Sequence, residues 1–291
     1  MIQNPMSISR PAITKLLLAA AVMLGLLGLF VALAGNASAG GDTKITVNST
    51  ANIDDGECEG APNDDEVGNC TLHEAIDMVN NGDADIINFH KPVFSKEQPG
   101  VIDLCSGFGD LPPITHDIKI DSKNSGVILD GGTKDDDCDS KDEAVVGILA
   151  EDFNNGFDFE LNGGKNFTIR NIDGEGILIC GGGGCIGGGT SLGTIEIAGV
   201  IVENVEGVGI LIFGSNLENG SITNSEISSN GDDGVAVIIQ ACSGNSCLLT
   251  DSALDISGNR VEGGTDNEES GAVAGICCKA AAVCLSCTRV R

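Results

Sequence analysis

Apolar residues recur at Leu72, Ala75, Ile76 and Val79, the i, i+3, i+4, i+7 spacing that gathers side chains on one stripe of a helix. The start and end of that helix are also written locally. Thr71 followed three residues later by Glu74 forms a capping box, in which each side chain satisfies a backbone N–H that the first turn leaves unpaired. Asn80-Asn81-Gly82 tolerates the left-handed conformation that ends a helix. The pattern predicts a helix of about ten residues with one buried face, and no second stretch of chain shares it.

Elsewhere the alternation is shorter. Lys44-Ile45-Thr46-Val47 alternates polar with apolar and predicts a first strand at an edge. Residues 85–89, 101–104, 118–120 and 127–131 are β-branched bursts ended by Gly, Asp or Asn, too short for buried helices. The second half adds an approximate repeat in which Gly precedes three small or aliphatic residues: Gly176-Ile177-Leu178-Ile179, Gly209-Ile210-Leu211-Ile212, Gly234-Val235-Ala236-Val237 and Gly271-Ala272-Val273-Ala274. Their spacings are 33, 25 and 37 residues. Each follows another apolar strand, at residues 167–172, 195–205, 222–227 and 254–261, and Asn171, Asn204 and Asn230 fall at related turns.

Regular strands at irregular spacing predict a solenoid whose loops vary while its strands stack, an all-β parallel β-helix. Successive rungs would lie about 4.8 Å apart around stacked Ile, Leu and Val, with Asn side chains laddering at the turns. The end of such a solenoid is an open sheet edge, a template for aggregation. The helix therefore reads as an N-terminal cap, with Thr71 and Glu74 starting it and Leu72, Ala75, Ile76 and Val79 covering the first rung.

Composition changes this picture in two ways. The 291 residues include 42 Gly and nine Phe but no Trp or Tyr, and 43 acidic residues face 15 basic ones. Sparse, scattered cations disfavour nucleic acid as a partner, because phosphate binding needs a basic patch. An acidic surface also repels anionic lipid and polysaccharide and favours cations, with calcium the candidate and no other cofactor indicated.

The first 39 residues read as a signal peptide. Arg10 and Lys15 lead into an apolar run over residues 16–34, followed by Ala37-Ser38-Ala39, an A-x-A cleavage pattern. An uncleaved anchor is the alternative, since the run approaches the length that spans a bilayer. No other membrane contact is expected, and the location read from this segment is secreted or cell surface. Four regions follow: the signal peptide over 1–39; strand, acidic loop and capping helix over 40–84; the β-helix over 85–276; and an atypical Cys- and Ala-rich tail over 277–291. The tail lacks the Gly-Asn turn grammar and reads as a truncated or frameshifted end, or as a short tail held by disulfides.

Export alters the meaning of the twelve cysteines, because outside the cytoplasm an even number implies disulfides before metal. Cys180 with Cys185 and Cys242 with Cys247 would each close a small loop at a turn. Cys58 with Cys70 would tie the acidic segment to the first helical turn, and Cys105 with Cys138 is a longer-range candidate. Cys277, Cys278, Cys284 and Cys287 contain one C-x-x-C, weak support for zinc on its own.

The segment around Ile45, the acidic loop with Cys58, Cys70-Thr71-Leu72-His73-Glu74-Ala75-Ile76 with Asn80, then Phe89 and the strands over 100–104 and 111–131 resemble the N-terminal region of CSLREA-type secreted right-handed parallel β-helix proteins. The resemblance covers residues 44–275. It implies a pectin lyase-like fold and a secreted or surface location, and leaves chemistry unassigned. Thr71 and His73 stand where the family name has Ser and Arg, at positions expected to be exposed.

A catalytic reading has three footholds. Asp232-Asp233 resembles the paired aspartates of polygalacturonase-like enzymes, in which two carboxylates act as acid and base. The later Gly-His-Gly and Arg-Ile-Lys are missing, and His73, His90 and His116 all lie upstream, so an acidic turn is the simpler account. A lyase would need an Arg or Lys base beside bound calcium, whereas Arg170 and Arg260 read as outward strand residues. The acids of residues 54–66 and 135–139 read as solvated loops, with calcium binding as the alternative. No metal-ligand spacing is apparent among the three histidines. N-x-S/T sites stand at Asn48, Asn69, Asn166 and Asn219. No catalytic residue is therefore assigned. The expectation is a non-enzymatic secreted or cell-surface β-helix serving as an adhesion, matrix or passenger module with a surface or matrix partner. The alternatives are a calcium-dependent polysaccharide lyase or glycoside hydrolase of the pectin lyase-like type, and a calcium-stabilised structural protein.

Overall fold

The computed structural model describes residues 43–56, 58, 69–105, 109–132, 146–152, 156–181, 191–214, 216–228, 231, 235–239, 254–257, 259–261 and 275–276. All of them belong to the unit that begins at Asp42. Residues 1–39, Glu57, Glu59, Asp64, Asp65, Glu66, Asn230, Asp232, Asp233, Cys138, Cys185, Cys242, Cys247, the acids of residues 135–139 and the 277–291 tail lie outside the described residues.

The elements run Lys44–Val47 (β1), Leu72–Asn80 (α1), Ile86–Phe89 (β2), Gly100–Asp103 (β3), Ile118–Asp121 (β4), Val127–Asp130 (β5), Val146–Asp152 (β6), Phe159–Ile172 (β7) and Glu175–Gly181 (β8). They continue with Ser191–Val205 (β9), Ile210–Gly214 (β10), Asn216–Thr223 (β11), Glu226–Ser228 (β12), Val235–Ile239 (β13), Leu254–Ser257 (β14), Arg260–Val261 (β15) and Gly275–Ile276 (β16). The described chain is thus mostly strand, with one α-helix, and every strand pairing within it is parallel.

Three ladders account for these pairings. The first runs β1, β2, β4, the start of β7, the middle of β9, β11 and β14. The second runs β3, β5, the end of β7, the end of β9, β12 and β15. The third forms a separate sheet in the order β6, β8, β10, β13, β16. From β7 onward the chain visits the first, second and third ladders in turn and then returns to the first, one strand further along. β7 and β9 each supply two ladders, with a register shift between Asn162 and Phe167 where β7 changes ladder.

Period-two alternation sends one side of each strand inward. In the first ladder Ile45, Ile87, Ile120, Leu161, Ile197 and Ile222 are successive register partners, and all are buried. In the second, Ile102, Leu129, Ile169, Val202 and Ile227 do the same. Ile148, Ile177 and Ile210 begin the third.

In β6 and β8 of the third ladder, the glycine at the second position answers a close approach from the second ladder. A Cβ on Gly176 would lie 2.5 Å from Val202 Cγ1 and 2.6 Å from the Gly209 carbonyl oxygen, inside any tolerable contact. Gly147 meets the same obstruction from Ile169 and the Gly176 carbonyl oxygen. The segment Gly147-Ile148-Leu149-Ala150 is therefore one more copy of the repeat, ahead of the four read from sequence. At the far end β13 pairs with Gly275–Ile276, while the repeat copy at Gly271-Ala272-Val273-Ala274 lies outside the described residues.

β1 is an edge strand, and α1 packs against β1 and β2. Leu72, Ala75, Ile76 and Val79 are buried in the common core, with Met78 half-buried beside them. Two sequence expectations are corrected here. Thr71 is fully buried and the His73 side chain only 13% exposed, although both were expected on the surface. The cause is the segment after β1, which folds back over the start of the helix.

Candidate functional site

The start of α1 is a densely bonded polar site. Thr71 Oγ1 accepts from the Glu74 amide (3.2 Å), and the Glu74 carboxylate accepts from the Thr71 amide (2.9 Å), closing the capping box. The preceding segment then bonds to it. Thr71 Oγ1 donates to the Ile53 carbonyl (2.7 Å), the Asp55 amide donates to Glu74 Oε1 (3.3 Å), and the Cys70 amide donates to Asn48 Oδ1 (2.9 Å). Glu74 is 3% exposed, a buried carboxylate made tenable by these donors. Asn48 is equally buried, so its N-x-S/T triplet is not presented for modification.

Cys58 and Cys70 are joined by a disulfide, with Cα atoms 4.3 Å apart, which pins Cys58 to the same turn. Cys105 and Cys180 each also take part in a disulfide, while their expected partners Cys138 and Cys185, together with Cys242 and Cys247, lie outside the described residues. At the other end of the helix, Asn80 donates to the Pro113 carbonyl (2.8 Å) and accepts from the Thr115 amide (2.8 Å), fixing the loop before β4.

One group of side chains gathered here was not anticipated from sequence. Ligand atoms of Asp54, His73 and Asp77 all lie within 4.8 Å of one another, and His73 Nε2 stands 3.9 Å from Asp77 Oδ2. Burial raises the Asp77 carboxyl above its ordinary value; the nearby His73 opposes that, while the negative charges of Asp54 and Glu74 add to it. His73 and Asp77 are an i, i+4 pair on one helical face, a spacing visible in sequence. Asp54 was not traceable, because only the folded segment brings it there. His90 and His116 lie in loops and do not join the group.

The outer side of the first ladder carries a shallow groove of about 420 Å³ lined by Asp85, Asp117, Lys119, Asp158, Glu160 and Glu196. Most of these acids are already engaged. Asp85 accepts from the Thr43 amide, Asp117 from the Asp158 amide and Asp158 from the Thr194 amide, each bond crossing to another pass of the chain. Lys119 donates to Glu160 (2.5 Å), a bond that raises the lysine above its ordinary value.

The corner between the second and third ladders holds a second polar column. Asn204 Nδ2 donates to Asn171 Oδ1, Asn171 Nδ2 donates to Asp130 Oδ1 (2.8 Å), and Arg170 pairs with Asp130 Oδ2 (2.7 Å). Burial works to raise Asp130, but hydrogen bonds from Asn171, Arg170 and the Gly132 amide outweigh it and hold the carboxyl below its ordinary value. Arg260 likewise pairs with Glu226 (2.6 Å). Both arginines face outward and are matched with carboxylates of the neighbouring strand.

Comparison with known proteins finds no matching family model, no matching curated protein and no matching solved structure.

Proposed function

We propose that this chain is an exported right-handed parallel β-helix of the CSLREA type, serving outside the cell as a non-enzymatic adhesion, matrix or passenger module. The observation that carries the reading is the unbroken inward column Ile45, Ile87, Ile120, Leu161, Ile197 and Ile222, which crosses six parallel strands without a polar interruption. Such a column commits the chain to a stiff scaffold and leaves its connecting segments, which vary in length from one pass to the next, as the surface for contact with partners. The disulfide-bonded state of Cys58, Cys70, Cys105 and Cys180 suits an oxidising compartment.

The test has three arms. Mass spectrometry of the secreted or surface-extracted protein should find an N-terminus at Gly40, and an N-terminus at Met1 would overturn export with cleavage. The oxidised protein should adhere to extracellular matrix or cell-surface preparations in a saturable way, and its failure to do so would overturn the adhesion reading. Assays on pectin, alginate and glycosaminoglycan, with and without calcium, should show no turnover. Turnover abolished by Asp233→Ala would replace the proposal with a carbohydrate-active enzyme.

A further inference from the structure

We infer that Asp54, His73 and Asp77 form a site for one divalent transition-metal ion of the zinc class, bound through the two carboxylates and His73 Nε2. Its consequence is mechanical: the ion would fasten the segment after β1 to the helix that covers the edge strand.

Three observations converge. The first is the donor set. One imidazole nitrogen and two carboxylate oxygens suit Zn²⁺ and its neighbours, whereas Ca²⁺ takes six to eight oxygens and no imidazole. The second is spacing. The donor atoms lie within 4.8 Å of one another. Donors on a tetrahedral zinc ion, each about 2.0–2.2 Å from the metal, sit closer together than that, so side-chain rotation alone has to close the set. His73 and Asp77 need no backbone movement, since one helical turn already stacks them on the same face.

The third is that Asp54 is held from both sides although its own side chain is exposed. The carbonyl of Ile53, the residue before it, accepts from Thr71 Oγ1, and the amide of Asp55, the residue after it, donates to Glu74 Oε1. The backbone that carries the third ligand is therefore bonded to the capping box of the helix that carries the other two. Preorganisation of this kind lowers the ordering cost of binding. Three protein ligands leave a further position to water.

The full-length oxidised chain, stripped of metal, would be titrated with Co²⁺ and then with Zn²⁺. One equivalent of Co²⁺ should give the weak visible bands of a nitrogen and oxygen site, and Zn²⁺ should displace it. Asp54→Asn, Asp77→Asn and His73→Ala should each weaken Zn²⁺ binding by at least about tenfold with unchanged circular dichroism. Asp54→Asn is the safeguard on folding, because it alters an exposed side chain without changing its shape. Zn²⁺ should also slow amide exchange in α1 of the parent protein and not in the Asp54→Asn variant. Binding indifferent to all three substitutions would overturn the inference. So would a thiolate-to-cobalt charge-transfer band that disappears in the Cys284→Ser, Cys287→Ser double variant, or displacement of Co²⁺ by equimolar Ca²⁺.

Discussion

Asn204 donates its side-chain amide to the Asn171 side-chain carbonyl, 2.5 Å away on the adjacent strand, and both residues have left-handed backbones with φ of 55° and 56°. One residue type meets two demands at that corner. Asparagine tolerates positive φ better than other residues with a Cβ, and its amide both donates and accepts along the column.

Substituting Asn171 separates the two demands. Asn171→Gly removes the hydrogen bonds to Asp130 and Asn204 and keeps the backbone freedom, so it should cost about 1–2 kcal/mol. Asn171→Ala removes the bonds and adds strain at positive φ, for a total of about 2–4 kcal/mol. Denaturant unfolding of both variants checks the order. Equal losses would show that the backbone conformation carries no cost there.

Gly176, at the second position of β8, supports a prediction about packing. Gly176→Ala would push a methyl group into Val202 Cγ1 and the Gly209 carbonyl, so it should destabilise by about 1–3 kcal/mol although alanine is the better residue in an open strand. The clash with Val202 is a side-chain contact and that with Gly209 is backbone. In a Val202→Ala background the cost of Gly176→Ala should therefore shrink without vanishing, which a double-mutant cycle measures directly.

Asp130 gives the fold a pH dependence whose sign is fixed. Its carboxyl lies below the ordinary value of 3.8 in the folded protein, so the unfolded chain takes up a proton first as the pH falls. The stability that Asp130 contributes is complete well above 3.8 and is lost as the pH falls through the lower folded value. Asp130→Asn should accordingly unfold more easily at pH 7, and the gap to the parent should close at acid pH, where the carboxyl is protonated in both the folded and the unfolded chain. A gap that persists at that pH would mean the carboxylate charge is not what Arg170 and Asn171 stabilise.

These columns also mark how far the sequence can be read. The helix was legible because its signals are local: Thr71 and Glu74 stand three apart, and its apolar stripe follows within eight residues. The ladders were legible from the glycine-led repeat, and the copy at Gly147, 29 residues before Gly176, has the same form and was readable by the same rule. The burial of Thr71 and His73 was not legible, since it depends on residues 48–55 folding over the cap, and nothing in a helical period reports what lies across it. Asp130 was hidden for a different reason. It ends a strand with the ordinary punctuation of Asp followed by Gly, and only the register that sets it beside Arg170 shows that it terminates the asparagine column.

The Cys58–Cys70 disulfide closes a short loop, with a sequence separation of 12, next to a cap that also has its own hydrogen bonds. Replacing both cysteines by serine should cost about 2–3 kcal/mol through the unfolded chain. The loss should be greatest nearby: amide exchange should quicken over Leu72–Asn80 and stay slow in β7 and β9, whose partners are untouched. Uniform acceleration across all three elements would show that the cap and the ladders unfold as one unit.

Ile76 tests what the helix does for the sheet. It is 1% exposed on the buried face of α1, and that helix packs on β1, the edge strand of the first ladder. Ile76→Val shortens the side chain and should cost only about 1 kcal/mol. Ile76→Asp puts an uncompensated carboxylate into the same apolar contact, with a loss on the order of 3–5 kcal/mol, enough to detach the helix while the ladders beyond it persist. The exposed edge would then recruit other chains through its unpaired backbone groups. Light scattering should therefore show concentration-dependent association of Ile76→Asp and none of Ile76→Val. A monomeric Ile76→Asp variant with parental stability would show that α1 does not protect the edge.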